Sequence, residues 1–439
     1  MIGVIQTVRE LVEAGAIERP MDGNHGELHP KTSDFVTSGI PFVMASDLKD
    51  GVIDLENCAF ITPELANTLR KGFAKTGDVL LSHKATMGRT AIVGALNTPY
   101  VMLTPQVTYY RVLDDGRLNR TFLKCYFESP AFQSLFASWG DAGSTRSYLG
   151  ISAQLDLPIV VPPIETQNAI AEVLGSLDDK IRLNRKLSRS IEALASTSFT
   201  SWFVDFDPVV AKRDGRVPIG VPTDAIDLFP SHFEESEVGP IPQGWRVVPL
   251  DSVADFLNGL ALQRFPPRDG DDLPVIKIAE LRAGTSLGAD RCGGVPSEYV
   301  IDDGDVVFSW SGSLMVDVWC GGKGALNQHL FKVTSRDVPK WFYLAWLNEH
   351  LPEFQAIAAD KATTMGHIRR FHLTEAKVLL PPEPLMKAMT SVQQPLLDQI
   401  IDSRLESRTL AQLRDTLLGP LLSGELTIKS AETAVGAAL

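Results

Sequence analysis

Two stretches far apart in this chain can be laid over one another without a gap. GSTRSYLGISAQLDLPIVVPP (143–163) matches ATTMGHIRRFHLTEAKVLLPP (362–382) in its small, hydroxyl-rich lead, its apolar run and its closing double proline. The two lie almost half of the 439-residue chain apart. Similarity at so long a period means that one structural unit is built twice, and each copy must solve the same folding problem. In the same register Leu177 meets Leu396, Ile181 meets Ile400 and Leu194 meets Leu413. Upstream, with modest gaps, PFVMASDLKDG (41–51) resembles PVIKIAELRAG (274–284). GDVLLSHKATMG (77–88) resembles GDVVFSWSGSLM (304–315), and LTPQVTYYRV (103–112) resembles LNQHLFKV (326–333).

Each copy has the same anatomy. Short β-type runs such as VIKIAEL and DVVFSW, bounded by Gly, Pro and Asp turns, surround one helical pattern, which predicts a compact mixed α/β domain. A long helix then opens at the double proline, because proline is tolerated in a first turn. Ile170, Val173, Leu174, Leu177, Ile181, Leu187, Ile191, Leu194 and Phe199 recur at threes and fours in the first helix. Met389, Val392, Leu396, Ile400, Leu410, Leu413, Leu417 and Leu421 do so in the second. Such seams predict coiled-coil-like pairing. Asn184 and Ser403 interrupt them at aligned positions, either at an exposed seam edge or as register-setting buried groups. About 40 helical residues run roughly 60 Å, more than one turn of B-DNA, so two antiparallel helices with a domain at each end suit the reading of two separated sites.

The expected architecture is therefore a pseudo-twofold tandem repeat of mixed α+β domains, separated by two long antiparallel helices. Its parts are a first domain (1–163), a spacer helix (164–204), an acidic linker (205–243), a second domain (244–382), a second spacer helix (383–426) and a disordered tail (427–439). The first copy lacks the GPIPQGWRVVPLDSVADF opening of the second. It begins instead with VIQTVRELVEAGAI, read as an amphipathic helix, and the polar stretch MDGNHGELHPKTSDF.

Composition excludes several classes. No apolar run approaches a membrane span and the N-terminus has no secretory pattern, so a cytoplasmic location is expected. Cys58, Cys125, Cys292 and Cys320 are too scattered for a disulfide framework or a zinc site, and no metal is expected. The net charge of −13 is unusual for a nucleic-acid binder. Part of it sits in the linker, where Asp205, Asp207, Asp214, Asp224, Asp227, Glu234, Glu235 and Glu237 face only Lys212, Arg213 and Arg216. The remainder implies that any grip on DNA is completed by basic partners.

The sequence also resembles a known family. IETQNAIAEVLGSLDDKIRLNRKLSRSIEALASTSFTSWFVDFDPV (164–209), FPSHFEESEVGPIPQGWRVVPL (229–250) and LRDTLLGPLLSGEL (413–426) resemble the specificity subunit of type I restriction–modification systems. The resemblance implies two target-recognition domains that each read half of a bipartite double-stranded DNA sequence. It implies helices that dock two methyltransferase subunits, and restriction/translocase subunits that join this core. It also implies that the methyl donor S-adenosylmethionine sits on the partner, leaving this chain non-catalytic and without a cofactor.

Two loops in each copy carry groups suited to phosphates and base edges. The DNA-binding candidates in the first copy are Ser82, His83, Lys84, Thr86, Arg89, Gln106, Ser144, Thr145 and Arg146. In the second they are Trp310, Ser311, Ser313, His329, Thr363, Thr364, His367, Arg369 and Arg370. Because the loops differ between copies, the two half-sites should differ. Most of the seam must be spent on the chain's own core. The candidates for partner docking are Leu177, Ile181, Leu187, Ile191, Leu410, Leu417 and Leu421, with Trp202 and Phe203, which also suit helix-end packing.

Two rival classes leave tests. A methyltransferase, alone or as a fused component, needs a Gly-rich cofactor loop and an Asn/Asp-Pro-Pro-aromatic motif. VPPI, FPPR and LPPE lack those flanks, DFDPVV (205–210) has one proline, and CGGKGALN (320–327) has the wrong spacing for a phosphate loop. A coiled-coil scaffold without a DNA role would not need two different polar loop sets.

Overall fold

The repeat reappears strand by strand in the computed structural model, which describes residues 3–26, 29–84, 86–140, 148–268, 270, 272–360 and 366–439. The chain divides into two units, Met1–Leu183 with Thr409–Leu439, and Asn184–Arg408. Each long helix gives one end to each unit.

In the first unit, Met21–Asp22, Val107–Tyr110, Val79–Ser82 and Thr90–Ile92 lie side by side in one sheet. Ala59–Ile61, Ile40–Val43, Val101–Leu103 and Phe73–Ala74 form another. The second unit repeats both orders. Asp255–Asn258, Leu330–Thr334, Val306–Ser309 and Met315–Val318 form one sheet, and Arg291–Cys292, Leu273–Ile276, Gly324–Leu326 and Val300–Ile301 the other. The parallel strand pairing recurs as well, Ile40–Val43 with Val101–Leu103 and Leu273–Ile276 with Gly324–Leu326. The central strands Val79–Ser82 and Val306–Ser309 are buried along their whole length, which is why they read as continuous apolar runs rather than as alternations.

The N-terminal segment differs from the expected single helix. Val4–Thr7 is a strand, paired antiparallel with Pro158–Val161, and only Val8–Glu13 is helical. Two β-branched residues and the Thr7–Glu10 capping box place the helix start at Val8. The second unit has the same arrangement, with Arg246–Pro249 paired to Lys377–Leu380 and followed by the helix Leu250–Val253. The opening missing from the first copy is therefore present in structure, without its sequence signature.

The long helices run Ile164–Phe199, continued by a π-helical turn Thr200–Val204, and Glu383–Ser423. The second stops three residues short of the expected bound, at Gly424, whose φ of 82° suits a glycine helix stop. In the first unit Ile170, Leu174, Leu177 and Ile181 share a core with Leu410, Leu417 and Leu421 and with Phe122, Phe127 and Phe132 of the domain. In the second, Phe199, Trp202 and Phe203 pack among Trp245, Trp341, Phe342 and Trp346; the Phe203 ring lies 5.4 Å from that of Trp245 and 5.8 Å from that of Trp341. The helix segments in this unit are antiparallel. Asn184 Nδ2 donates to Glu406 Oε2 at 2.6 Å, and farther along Gln393 Nε2 donates to the Ala195 carbonyl at 3.2 Å. Asn184 and Ser403 are both buried, which removes the exposed-edge reading.

Two segments are more ordered than their composition implies. The linker forms the helix Asp207–Arg213 and the hairpin Phe233–Ser236/Gly239–Pro242, and its Val209, Ala225 and Phe229 belong to the second unit's core. The tail, expected to be disordered, is a helix, Ile428–Ala438, capped by Thr427. Its Ala431 and Val435, one turn apart, are buried in the first unit's core. Two apolar residues on one helix stripe suffice to seat it there.

Candidate nucleic-acid interface

In each domain three segments meet at the end of the central strand, joined by the same backbone bonds. In the first, His83 N–H donates to the Gln106 carbonyl (2.9 Å), Leu149 N–H donates to the His83 carbonyl (3.0 Å), and Lys84 bridges to Tyr148. In the second, Trp310 N–H donates to the His329 carbonyl (3.3 Å), Ile368 N–H donates to the Trp310 carbonyl (3.1 Å), and Ser311 bridges to His367. The loop that starts at Ser82 thus lies beside Tyr148-Leu149, and the one that starts at Ser309 beside His367-Ile368, each together with the turn that carries Gln106 or His329.

The side chains differ on this shared frame. In the first domain Ser82 is buried; its Oγ accepts from Arg89 N–H and its carbonyl from Gly88 N–H, both at 2.8 Å. His83 is wholly buried, its Nδ1 bonded to the Leu149 carbonyl at 2.9 Å. Burial pushes its imidazole below the ordinary histidine range, only partly countered by that carbonyl, so the ring is neutral near pH 7. Its Nε2 finds no partner among the described residues. Lys84, Thr86 and Arg89 are exposed, and Gln106 is half-buried. Lys84 Nζ stands 5.8 Å from the Tyr148 ring centroid, and Arg89 reaches the Ala45 carbonyl at 3.3 Å.

In the second domain Trp310 is half-buried, donating from Nε1 to Asn258 Oδ1 at 2.9 Å, with the His329 and His367 rings 6.1 and 6.2 Å away. Buried Ser311 shares a 2.8 Å hydrogen bond with His329 Nδ1, while Ser313 is exposed. Arg369 is exposed. Arg370 is partly committed inward, bonded to the Phe256 carbonyl at 3.0 Å and lying 5.5 Å over the Phe331 ring. Ser144, Thr145, Arg146, Thr363 and Thr364 lie outside the described residues.

Sequence reasoning missed a fourth contributor. The strand Met21–Asp22 runs beside Val107–Tyr110 just as Asp255–Asn258 runs beside Leu330–Thr334. This brings Asp22-Gly23 and Asn258-Gly259 to corresponding positions. A Cβ on Gly23 would sit 1.9 Å from the Leu103 carbonyl oxygen, and one on Gly259 2.2 Å from that of Asn327, so only glycine fits either place. Asn258 holds Trp310. Asp22 instead bonds His25 (2.6 Å) and Lys71. Burial alone would raise the Asp22 carboxyl, but these two partners hold it below its ordinary value. The shared Asp/Asn-Gly dipeptide was the available signal, hidden by the dissimilar residues around it.

The docking candidates separate by burial. Leu177, Ile181, Trp202, Phe203, Leu410, Leu417 and Leu421 are enclosed in the chain's own cores, because a heptad seam that pairs within the chain offers no surface to another. Ile191 is half-buried and Leu187 is 41% exposed; Leu183 and Leu194 of the same helix are also exposed.

Cys125, Glu128 and Asp178 bring potential ligand atoms together in the first unit, but Lys124 and Arg414 already occupy the carboxylates. Among the described residues no helix is long and apolar enough to cross a membrane.

Residues 26–193 match the family model described as the type I restriction modification DNA specificity domain. The chain is 23% identical over 362 residues to the type I restriction enzyme MjaIX specificity subunit of Methanocaldococcus jannaschii, covering 80% of this chain and 78% of that protein. It is 21% identical over 317 residues to the HindI specificity subunit of Haemophilus influenzae, covering 62% and 69%. The crystal structure of the type I restriction–modification system S subunit from M. genitalium superposes with a TM-score of 0.52 at 12% identity, covering 95% of each chain, a likeness of fold.

Proposed function

We propose that this chain, a member of the specificity-subunit family of type I restriction–modification systems, reads a bipartite double-stranded DNA target, one half with each recognition domain. It acts by placement. The methyl donor S-adenosylmethionine belongs to two methyltransferase subunits that dock on the helices, and restriction/translocase subunits join them. The observation that carries this reading is the three-segment junction, built twice from the same backbone bonds and furnished with different side chains. A fixed frame with variable side chains is what reading two different half-sites with one fold requires. The net charge of −13 fits a grip on phosphates shared with basic partners.

The test is a methylation map of a host genome expressing this chain with its methyltransferase subunits. Exchanging residues 244–382 for another second domain should change one half of the methylated motif and keep the other. A motif unchanged by the exchange would refute the reading in favour of a scaffold. Methylation by the chain alone would refute it in favour of an enzyme.

A further inference from the structure

The helix that follows the sheets carries the same short pattern in both domains, SPAFQ at 129–133 and LPEFQ at 351–355. In each, the phenylalanine is buried in the core, Phe132 in the first unit and Phe354 in the second. The glutamine after it reaches the recognition loop. Gln133 Nε2 donates to the Gly88 carbonyl at 2.9 Å and to the Phe127 carbonyl of its own helix region at 2.5 Å. Gln355 Nε2 donates to the Leu314 carbonyl at 3.1 Å. The loops themselves are unlike, SHKATMGR against SWSGSLM, yet each is met by a glutamine amide near its far end.

The near end is fixed too. Ser82 accepts from Arg89 N–H and Gly88 N–H across the first loop, and Ser309 Oγ donates to the carbonyls of Ser311 and Ser313 across the second. Lys84 and Thr86 therefore lie between two anchored points, as do Ser311 and Ser313. Gly88 shows how close the clamp is. Its φ is 85°, and a Cβ there would stand 2.1 Å from Gln133 Oε1. An exposed loop carbonyl could be satisfied by water, so a side chain brought from a rigid helix adds a defined loop position that solvent cannot supply.

We propose that Gln133 and Gln355 are positioning residues for DNA reading, each setting the shape of its own domain's recognition loop without touching DNA. The proposal rests on the reading of the loops as DNA contacts. A loop held before binding loses less freedom on binding and presents its donors in one geometry, so the clamp favours affinity and base discrimination together. Because each glutamine serves one loop, its effect is confined to one half-site.

The experiment uses the full chain assembled with its methyltransferase subunits. The probes are a duplex carrying the motif that the wild-type complex methylates, and duplexes altered at single bases of either half. Gln133→Glu keeps the side chain's size and replaces the donating amide with a carboxylate facing the loop carbonyl. It should weaken binding to the intact motif by roughly two- to tenfold, the worth of one hydrogen bond. It should also reduce discrimination at the bases of one half only. Gln355→Glu should do the same at the other half, and the thermal midpoints of both should stay near wild type. Gln133→Leu and Gln355→Leu, which remove the donor without adding charge, should give the same pattern and decide the matter if a glutamate variant does not fold. Unchanged discrimination, or an equal loss over both halves, overturns the proposal. A wild-type complex whose motif depends on neither domain would instead overturn the function on which it rests.

Discussion

Replacing Lys124 by Met tests what holds the first domain to its helices. Lys124 is only 7% exposed, its Nζ 2.9 Å from Glu128 Oε2 and 2.5 Å from Asp178 Oδ2 on the first long helix. Arg414 of the second long helix reaches Asp178 at 2.7 Å. Burial alone would lower the Lys124 ammonium, but the two carboxylates carry it above its ordinary value. Burial would raise Asp178, but Lys124 and Arg414 hold it down. Removing one member of a buried ion pair costs about 3–5 kcal/mol, since a charge is left behind. Asp178 keeps Arg414 and Glu128 keeps Thr90, so the lower end, about 3 kcal/mol, applies to Lys124→Met. For a unit of about 200 residues that is a fall of roughly 6–12 °C in midpoint. Hydrogen exchange during thermal unfolding should show the loss in peptides of the first unit and not in 184–408. Protection of the first unit within about 0.5 kcal/mol of wild type, the usual range of a surface substitution, would refute the argument. The pH dependence has a definite sign. The Asp178 contribution is complete above the unfolded carboxylate value, about 3.9, and is lost as pH falls through the depressed native value. The Lys124 contribution is complete below about 10.4 and is lost as pH rises through the elevated native value. Lys124→Met should therefore move acid unfolding of the first unit to higher pH.

Phe203→Ala should destabilise the second unit by about 3–5 kcal/mol in chemical denaturation, because the ring is a core residue; weakened subunit docking at unchanged stability would reverse that assignment. Truncation after Leu426 removes Ala431 and Val435 and should lower the first unit's midpoint while leaving the second unit's exchange pattern intact. Lys84→Ala should weaken DNA binding by the assembled complex and reduce the salt slope by about one, and a slope equal to wild type would place Lys84 off the phosphates. Gly259→Ala should destabilise the second unit, as its Cβ would meet the Asn327 carbonyl at 2.2 Å; a melting curve like wild type would contradict the close packing there.

The large plan was legible because it is written twice. The gapless match at 143–163 and 362–382 located the joint between domain and helix, and the seams predicted helices that end within a few residues of those observed. What was illegible has physical causes. Val4–Thr7 is recognisable as a strand only through its partner Pro158–Val161, a pairing across the whole domain that local periodicity does not encode. The helix Ile428–Ala438 depends on a core supplied by other segments. At the site, residue type identified the loops but not the directions of their side chains. His83 has the chemistry of a contact residue but is enclosed, whereas the likeness between Asp22-Gly23 and Asn258-Gly259 is too short to stand out in the sequence. Nothing in residue type marks Gln133 and Gln355, because only the fold brings the Gly88 and Leu314 carbonyls to them.

The membership of the first unit reverses the order in which the chain can mature. Its sheets and the start of its helix are made first, yet the core that Ile170, Leu174 and Leu177 enter is closed by Leu410, Leu417 and Leu421, which come after Thr409. At about 5–20 residues per second, the ribosome leaves that apolar face waiting for on the order of ten to forty-five seconds. The second unit, unbroken in sequence from Asn184 to Arg408, is complete sooner after its own start. The domain translated first is thus the last to be sealed, and the interval before the C-terminal segment emerges is when the nascent chain most needs shielding from association with others.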